Sequence, residues 1–161
     1  MNNTYSLVKR GTILIPSGSS HHLHFICCNP VYYPNVGKDC VLVVNISSTN
    51  PTIEYDQTCI LKPEDHPFIK RPSYVYYRKA DIYGANNIIR NVAEGTFITH
   101  QDCSEPVFEK ILKGFSVSEE VKIKILRFYQ KYCLNALALT VIPKTIDEHF
   151  AIASDEVTPK E

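Results

Sequence analysis

Residues 11–48 read GTILIPSGSSHHLHFICCNPVYYPNVGKDCVLVVNISS, and this stretch decides the fold. Its apolar runs are short, rich in Val, Ile, Leu and Cys, and bounded by Gly, Pro, Ser and Asn. That is the pattern of strands in a small buried β-core. Three strands are expected, over residues 11–16, 22–29 and 40–46. Residues 17–20 and 30–38 are expected to be loops, because they collect Ser, Gly, Pro and Asn. From Cys40 to Ile46 only Asn45 interrupts the apolar run, which predicts a central strand covered on both faces. The strand ends carry the reactive side chains: His21, His22 and His24 at the entry of the second strand, Ser47 and Ser48 at the exit of the third.

Outward from this core, residues 47–57 read as a loop marked by Asn50-Pro51, residues 58–61 as a short strand, and residues 62–72, with three prolines, as irregular. Residues 73–78 form an aromatic strand that residues 80–83 continue. Residues 86–93 suit a short helix ending at Gly95, and residues 96–99 a last strand. The C-terminal third changes period. Ser104-Glu105-Pro106 starts a helix, with Pro in the first turn and an acid near the positive end of the dipole, and Gly114 stops it. Ser116 and Glu119 have capping-box spacing and predict a second helix to Cys133. Val121, Ile125, Phe128, Tyr129, Tyr132 and Cys133 make its apolar face; Lys122, Lys124, Arg127 and Lys131 are solvated positions. Residues 134–141 extend that helix or form an edge strand. The expected organisation is one domain over residues 1–142 and a polar tail over 143–161.

A chain of 161 residues has the length to bury a proper core as one domain. Lys plus Arg and Asp plus Glu are equal at 17 each, which argues against a protein that coats nucleic acid non-specifically but leaves room for a local basic patch. The polar start and the lack of any long apolar run predict a cytoplasmic protein with no membrane segment. The six cysteines, none with Cys-x-x-Cys spacing, are then expected as reduced, buried thiols.

Two clusters can carry chemistry. His22 and His24 share one face of a strand and could offer two imidazoles to a metal, but nothing in the sequence brings a third ligand such as His66, His100 or Asp65, so neither metal nor cofactor is expected. Histidine is also the natural acid or base near neutral pH. RNA cleavage by attack of the ribose 2′-OH on its own phosphate needs a base, an acid for the leaving 5′-oxygen, and donors for the charged transition state. A His, an Arg and a hydroxyl suffice. The second cluster, residues 70–81, interleaves Lys70, Arg71, Arg78 and Lys79 with Tyr74, Tyr76 and Tyr77. Cations for phosphates and rings for bases suit a single-stranded nucleic acid. A Tyr-rich edge strand flanked by solvated charges would read the same way.

The order of elements resembles the MazF/PemK/Kid family of toxin endoribonucleases. Gly11-Thr12-Ile13-Leu14 is similar to the family's Gly-rich opening strand, and Phe25–Pro30 to its next strand, which ends in a Ser-Pro or Thr-Pro step. Val44–Ser48 is similar to the strand that ends in paired hydroxyl residues, Arg78 after Tyr76-Tyr77 to a later catalytic Arg, and residues 118–132 to the closing helix. The likeness spans residues 8–133 in short motifs. It implies a mainly β fold with C-terminal α structure: an SH3-like β-barrel capped by two helices. It also implies metal-independent cleavage of single-stranded RNA, a toxin of a toxin–antitoxin pair, a homodimer, and a neutralising antitoxin protein. Carried over by residue, His22 is the general base or acid, Arg78 neutralises the phosphate and Ser47 hydrogen-bonds it. His24, Ser48, Lys70, Arg71, Tyr74, Tyr76 and Lys79 hold the RNA around them. Two departures stand out. Where many members have Arg-Pro before the second strand, this chain has Leu23-His24, and the acid expected at position 80 stands at Asp81, on the other face of a strand. Both favour the alternative, a non-catalytic SH3-like barrel that binds RNA or a partner protein. The nuclease reading requires His22, Ser47 and Arg78 to meet over one concave side of the sheet.

Overall fold

A computed structural model describes residues 4–134. Its strands are β1 (Thr12–Ser17), β2 (Ser20–Ile26), β3 (Val31–Tyr33), β4 (Lys38–Ser48), β5 (Ile60–Leu61), β6 (Ser73–Val75), β7 (Asp81–Gly84) and β8 (Ile98–His100). Its helices are α1 (Ala85–Ala93), α2 (Glu105–Gly114) and α3 (Ile123–Phe128). Every strand pairing is antiparallel. The sheet runs β5-β6-β4-β2-β1-β8, with β3 and β7 also on β4. The fold is therefore mainly antiparallel sheet with helices partly at the C-terminal end, as expected.

β4 is the axis. Cys40 pairs with Val31 on one edge and Gly84 on the other, and Val43 with Ile26 and Asp81, so β2 and β3 follow one another along one edge and β7 lies along the opposite one. Cys40–Ile46 are all buried, as the apolar run predicts. α1 packs on β4 and β7 and carries the chain across the sheet to β8 at the far edge. Beyond β8, α2 and α3 bring Ile111, Phe115, Ile125, Phe128 and Tyr129 into the core. Tyr77 is fully buried with them. Its phenol donates to the Ile111 carbonyl at 2.7 Å and its ring meets Phe115 edge-on at 5.0 Å. All six cysteines are buried and free, and burial pushes the Cys103 thiol up to about 12.

Four expectations are corrected. The loop expected over residues 30–38 contains β3, and the strand expected to end at Ile46 runs on through Ser48, because β6 takes over its pairing. The aromatic strand stops at Val75, and Tyr77–Lys79 is a 3₁₀ turn that sends the Tyr77 ring inward. The last helix starts at Ile123, not just after Ser116, because Ser116 and its neighbours bond residues elsewhere in the chain. Ser116 Oγ bonds the Tyr129 phenol, Ser118 Oγ donates to Asp56, and Glu120 pairs with Arg78. From Tyr129 to Leu134 the helix widens into a π turn, with Tyr129 and Cys133 still on its buried side. The readings for residues 135–141 and for the tail lie outside the described residues. Among the described residues no helix is long and apolar enough to cross a membrane.

Candidate nucleic-acid interface

β2 and β4 pair only from His24↔Asn45 to Ile26↔Val43. Beyond that, Ser20–Leu23 stay with β1, whereas Ile46–Ser48 pair with β6. The two strands part, and a groove of about 400 Å³ opens between their ends. Ser20–Leu23 form one wall and Ile46–Ser48 the second; Phe68–Arg71 with Ser73 form the third.

That third wall is pinned. His66 is 2% exposed; its Nε2–H donates to the Gln101 carbonyl at 2.7 Å, and its Nδ1 accepts the Phe68 N–H at 3.1 Å. One nitrogen donates and the other accepts, so the ring is neutral. Burial lowers its pKa, against a smaller opposing effect of the Gln101 hydrogen bond, and nearby His100 lowers it further. Lys70 Nζ donates to the Pro67 carbonyl at 3.0 Å, and Arg71 Nε to Ser48 Oγ at 3.2 Å. At the far end Ser73 Oγ donates to the Arg71 carbonyl, and Thr49 bonds the Pro72 carbonyl through both its N–H and its hydroxyl. Lys70 and Arg71 are thus held beside the groove by a loop tied at both ends. His21, His22, Lys70 and Arg71 line it, and among the described residues no carboxylate does.

Register decides which side chains face in. Phe25 pairs with Val44, and Ser48 with Ser73, so His21, Leu23, Phe25, Val44, Ile46, Ser48 and Ser73 lie on one face of the strands. His22, His24, Asn45, Ser47 and Tyr74 lie on the other. His21 and Ser48 therefore project from the groove's own face, and His22 and Ser47 reach it at its edge. His24 does not line it. Its Nδ1 bonds the His22 carbonyl at 2.8 Å, and burial lowers its pKa.

Arg78 stands in a different place. A second cleft, of about 700 Å³, is lined by residues 51–57, Tyr74, Tyr76, Arg78 and Glu120. Arg78 Nη2 bonds Glu120 Oε1 at 3.0 Å. Tyr55 stacks on Tyr74 (centroids 5.1 Å, planes 23° apart), and Tyr76 meets Tyr74 at 5.2 Å. The Lys79 ammonium sits 5.1 Å from the Tyr76 centroid. Asp56 is desolvated by burial, which works against its charge, but hydrogen bonds from Ser118 and Thr58 outweigh that and hold its carboxyl below the usual range. Ser73 and Tyr74 are neighbours on one strand, so the groove and the cleft lie on opposite sides of the β4–β6 pair.

Of the residues singled out in the sequence, His22, Ser47, Ser48, Lys70 and Arg71 thus come together. Tyr74, Tyr76, Arg78 and Lys79 belong with the acidic cleft instead, and His24 with neither. His22, Ser47 and Arg78 do not share a cavity, because the 3₁₀ turn after Val75 carries Arg78 to Glu120. His66 and Tyr55, which shape the two sites, carry no sequence signal beyond being polar or aromatic in a Pro-rich region. His21, which the sequence places with His22 and His24 at the strand entry without a role of its own, also lines the groove. Among the described residues no three His, Cys, Asp or Glu side chains gather as a metal site. No protein-family model, curated protein or solved structure matches the chain.

Proposed function

We propose that this protein is an SH3-like barrel that holds single-stranded RNA by its phosphates in the groove between β2 and β4 and cuts it without a metal ion. One observation carries the proposal: two imidazoles, a guanidinium, an ammonium and four serines line a single groove that, among the described residues, no carboxylate lines. In such a groove the ribose 2′-oxygen attacks its own phosphorus and the bond to the 5′-oxygen breaks, leaving a 2′,3′-cyclic phosphate and a 5′-hydroxyl. One imidazole, His22 or His21, takes the 2′-OH proton, and the other protonates the leaving oxygen. Arg71 and Ser48, already joined, donate to the phosphate, and Lys70 adds charge. The required meeting of His22, Ser47 and Arg78 does not occur, so the catalytic set carried over from the resemblance is withdrawn, and Arg71, which lines the groove with His22 and Ser47, takes the part given to Arg78. A toxin role, a homodimer and an antitoxin partner go with this reading.

The test is single-stranded RNA incubated with the full chain in excess chelator. Fragments ending in cyclic phosphate are expected, lost about 10²–10⁴-fold in the His21→Ala/His22→Ala double variant. They are also lost in Arg71→Ala and unchanged in Arg78→Ala. Activity that survives Arg71→Ala but needs Arg78 overturns the proposal. A second reading has its own support: among the described residues no side chain hydrogen-bonds the His21 or His22 ring, as a catalytic imidazole would require to be oriented. In that case the groove grips RNA without cutting it. Intact RNA that binds with a salt dependence lowered by about one phosphate contact in Arg71→Ala identifies that outcome.

A further inference from the structure

We propose that the tyrosine cleft on the other side of β4–β6 is a docking site for a basic peptide, and that it takes an arginine side chain. The cleft has a volume of about 700 Å³, and its chemistry is the reverse of the groove's. Glu54, Asp56 and Glu120 line it against Arg78, with Lys79 over Tyr76 at its edge. Phosphates are repelled there, and a guanidinium is attracted.

The walls are built for a flat cation. Tyr55 and Tyr74 stack, and Tyr76 closes on Tyr74 at an angle, giving a continuous aromatic surface. A guanidinium stacks on such rings and is attracted by their faces. The chain already uses the surface in this way: Lys79 lies over Tyr76, and Arg78 holds Glu120. Both internal cations are exposed, so an incoming arginine can displace either. The carboxylates are set in advance. Ser118 Oγ donates to Asp56 and accepts the Glu120 N–H at 3.1 Å, which ties the 51–57 loop to the segment before α3. Glu54 is exposed and makes no hydrogen bond with a described residue, so it is free to fork onto a guanidinium.

The experiment is fluorescence anisotropy of a labelled tetra-arginine peptide on the full chain at low salt, with a tetra-citrulline peptide as its neutral isostere. The expected result is arginine binding that weakens with salt and a tenfold or greater loss for citrulline. Glu54→Gln/Glu120→Gln is expected to lose about tenfold, and so is Tyr74→Ala. Glu94→Gln/Glu109→Gln, which removes two carboxylates outside the cleft, is expected to bind as the parent does. Equal binding of citrulline, or an equal loss in the Glu94/Glu109 control, overturns the proposal. Glu54 is exposed and makes no hydrogen bond or ion pair with a described residue, so its single Gln variant keeps the test valid if Tyr74→Ala misfolds. If single-stranded RNA loses affinity in Tyr74→Ala while the peptide does not, the tyrosines serve RNA and the proposal fails.

Discussion

Gly114→Ala sets two physical effects against each other. The substitution is at the end of α2, where alanine's better helix propensity is worth up to about 1 kcal/mol in its favour. A Cβ at position 114, however, would overlap the Tyr77 hydroxyl oxygen and Cζ and stand 3.0 Å from Cε2. The ring has no room to retreat. It is fully buried, it meets Phe115 edge-on, and its hydroxyl holds the Ile111 carbonyl in the last turn of α2, where helix carbonyls lack intrahelical partners. Overpacking of this kind costs about 1–3 kcal/mol. Displacing the phenol strands a buried donor and acceptor for about 1–3 kcal/mol more. The net expectation is a loss of about 2–4 kcal/mol, a fall in Tm on the order of 10 °C. Urea titration followed by far-ultraviolet circular dichroism measures it, with an unchanged slope as the check that only stability moved. Tyr77→Phe removes the overlapping oxygen, so Gly114→Ala should cost less in that background, with a coupling on the order of 1 kcal/mol. A Gly114→Ala protein as stable as the parent, or strictly additive costs, would refute the close approach of Tyr77 to α2.

Acid should weaken the fold through His24 and His66, whose pKa values are both lowered mainly by burial. The unfolded chain then binds protons that the folded one refuses. Stability is full above the unfolded value near pH 6.5, declines as pH falls through it, and levels off below the folded values. Urea midpoints that rise from about pH 7 to pH 5 contradict this. His66→Phe keeps an aromatic ring against Phe25 but drops both His66 hydrogen bonds; it should cost about 1–3 kcal/mol and weaken RNA binding, with faster amide exchange at Phe68. Ser118→Ala should cost about 1 kcal/mol and let the Asp56 carboxyl titrate closer to the usual range, read by NMR.

The strands that carry the core were legible because burial writes itself into composition. Cys40–Ile46 must be apolar on both faces, and so it reads without ambiguity. β3 was hidden for the opposite reason. It is three residues long, is flanked by Pro30 and Pro34, exposes Tyr32, and pairs with the polar start of β4, Lys38–Cys40. The start of α3 failed differently. Ser116 and Glu119 have capping-box spacing, but Ser116 bonds Tyr129, and the adjoining Ser118 and Glu120 are held by Asp56 and Arg78. Those tertiary bonds outbid a local cap worth about 1 kcal/mol.

Half the candidate site was legible and half was not, and the dividing line is a change of partner within one strand. His21, His22, Ser47 and Ser48 could be read as strand ends, because chemistry-bearing residues interrupted an apolar pattern there. No local signal says that β4 leaves β2 after Val43–Asn45 and pairs with β6, since the residues would look alike with either neighbour. Yet that exchange opens the groove, and the parity of the same strands turns Ser48 and His21 inward. The choice between arginines depends on a similar event. Arg71 and Arg78 lie seven positions apart in one basic, tyrosine-rich run, and as a continuous strand they would have looked interchangeable. The 3₁₀ turn at Tyr77–Lys79, which exists because the Tyr77 ring has to reach Ile111, sends Arg78 to the carboxylates and leaves Arg71 bonded to Ser48. A core tyrosine therefore sorts the cations of this chain into an anion-binding groove and an acidic cleft, and variants that disturb Tyr77 should disturb both sites together.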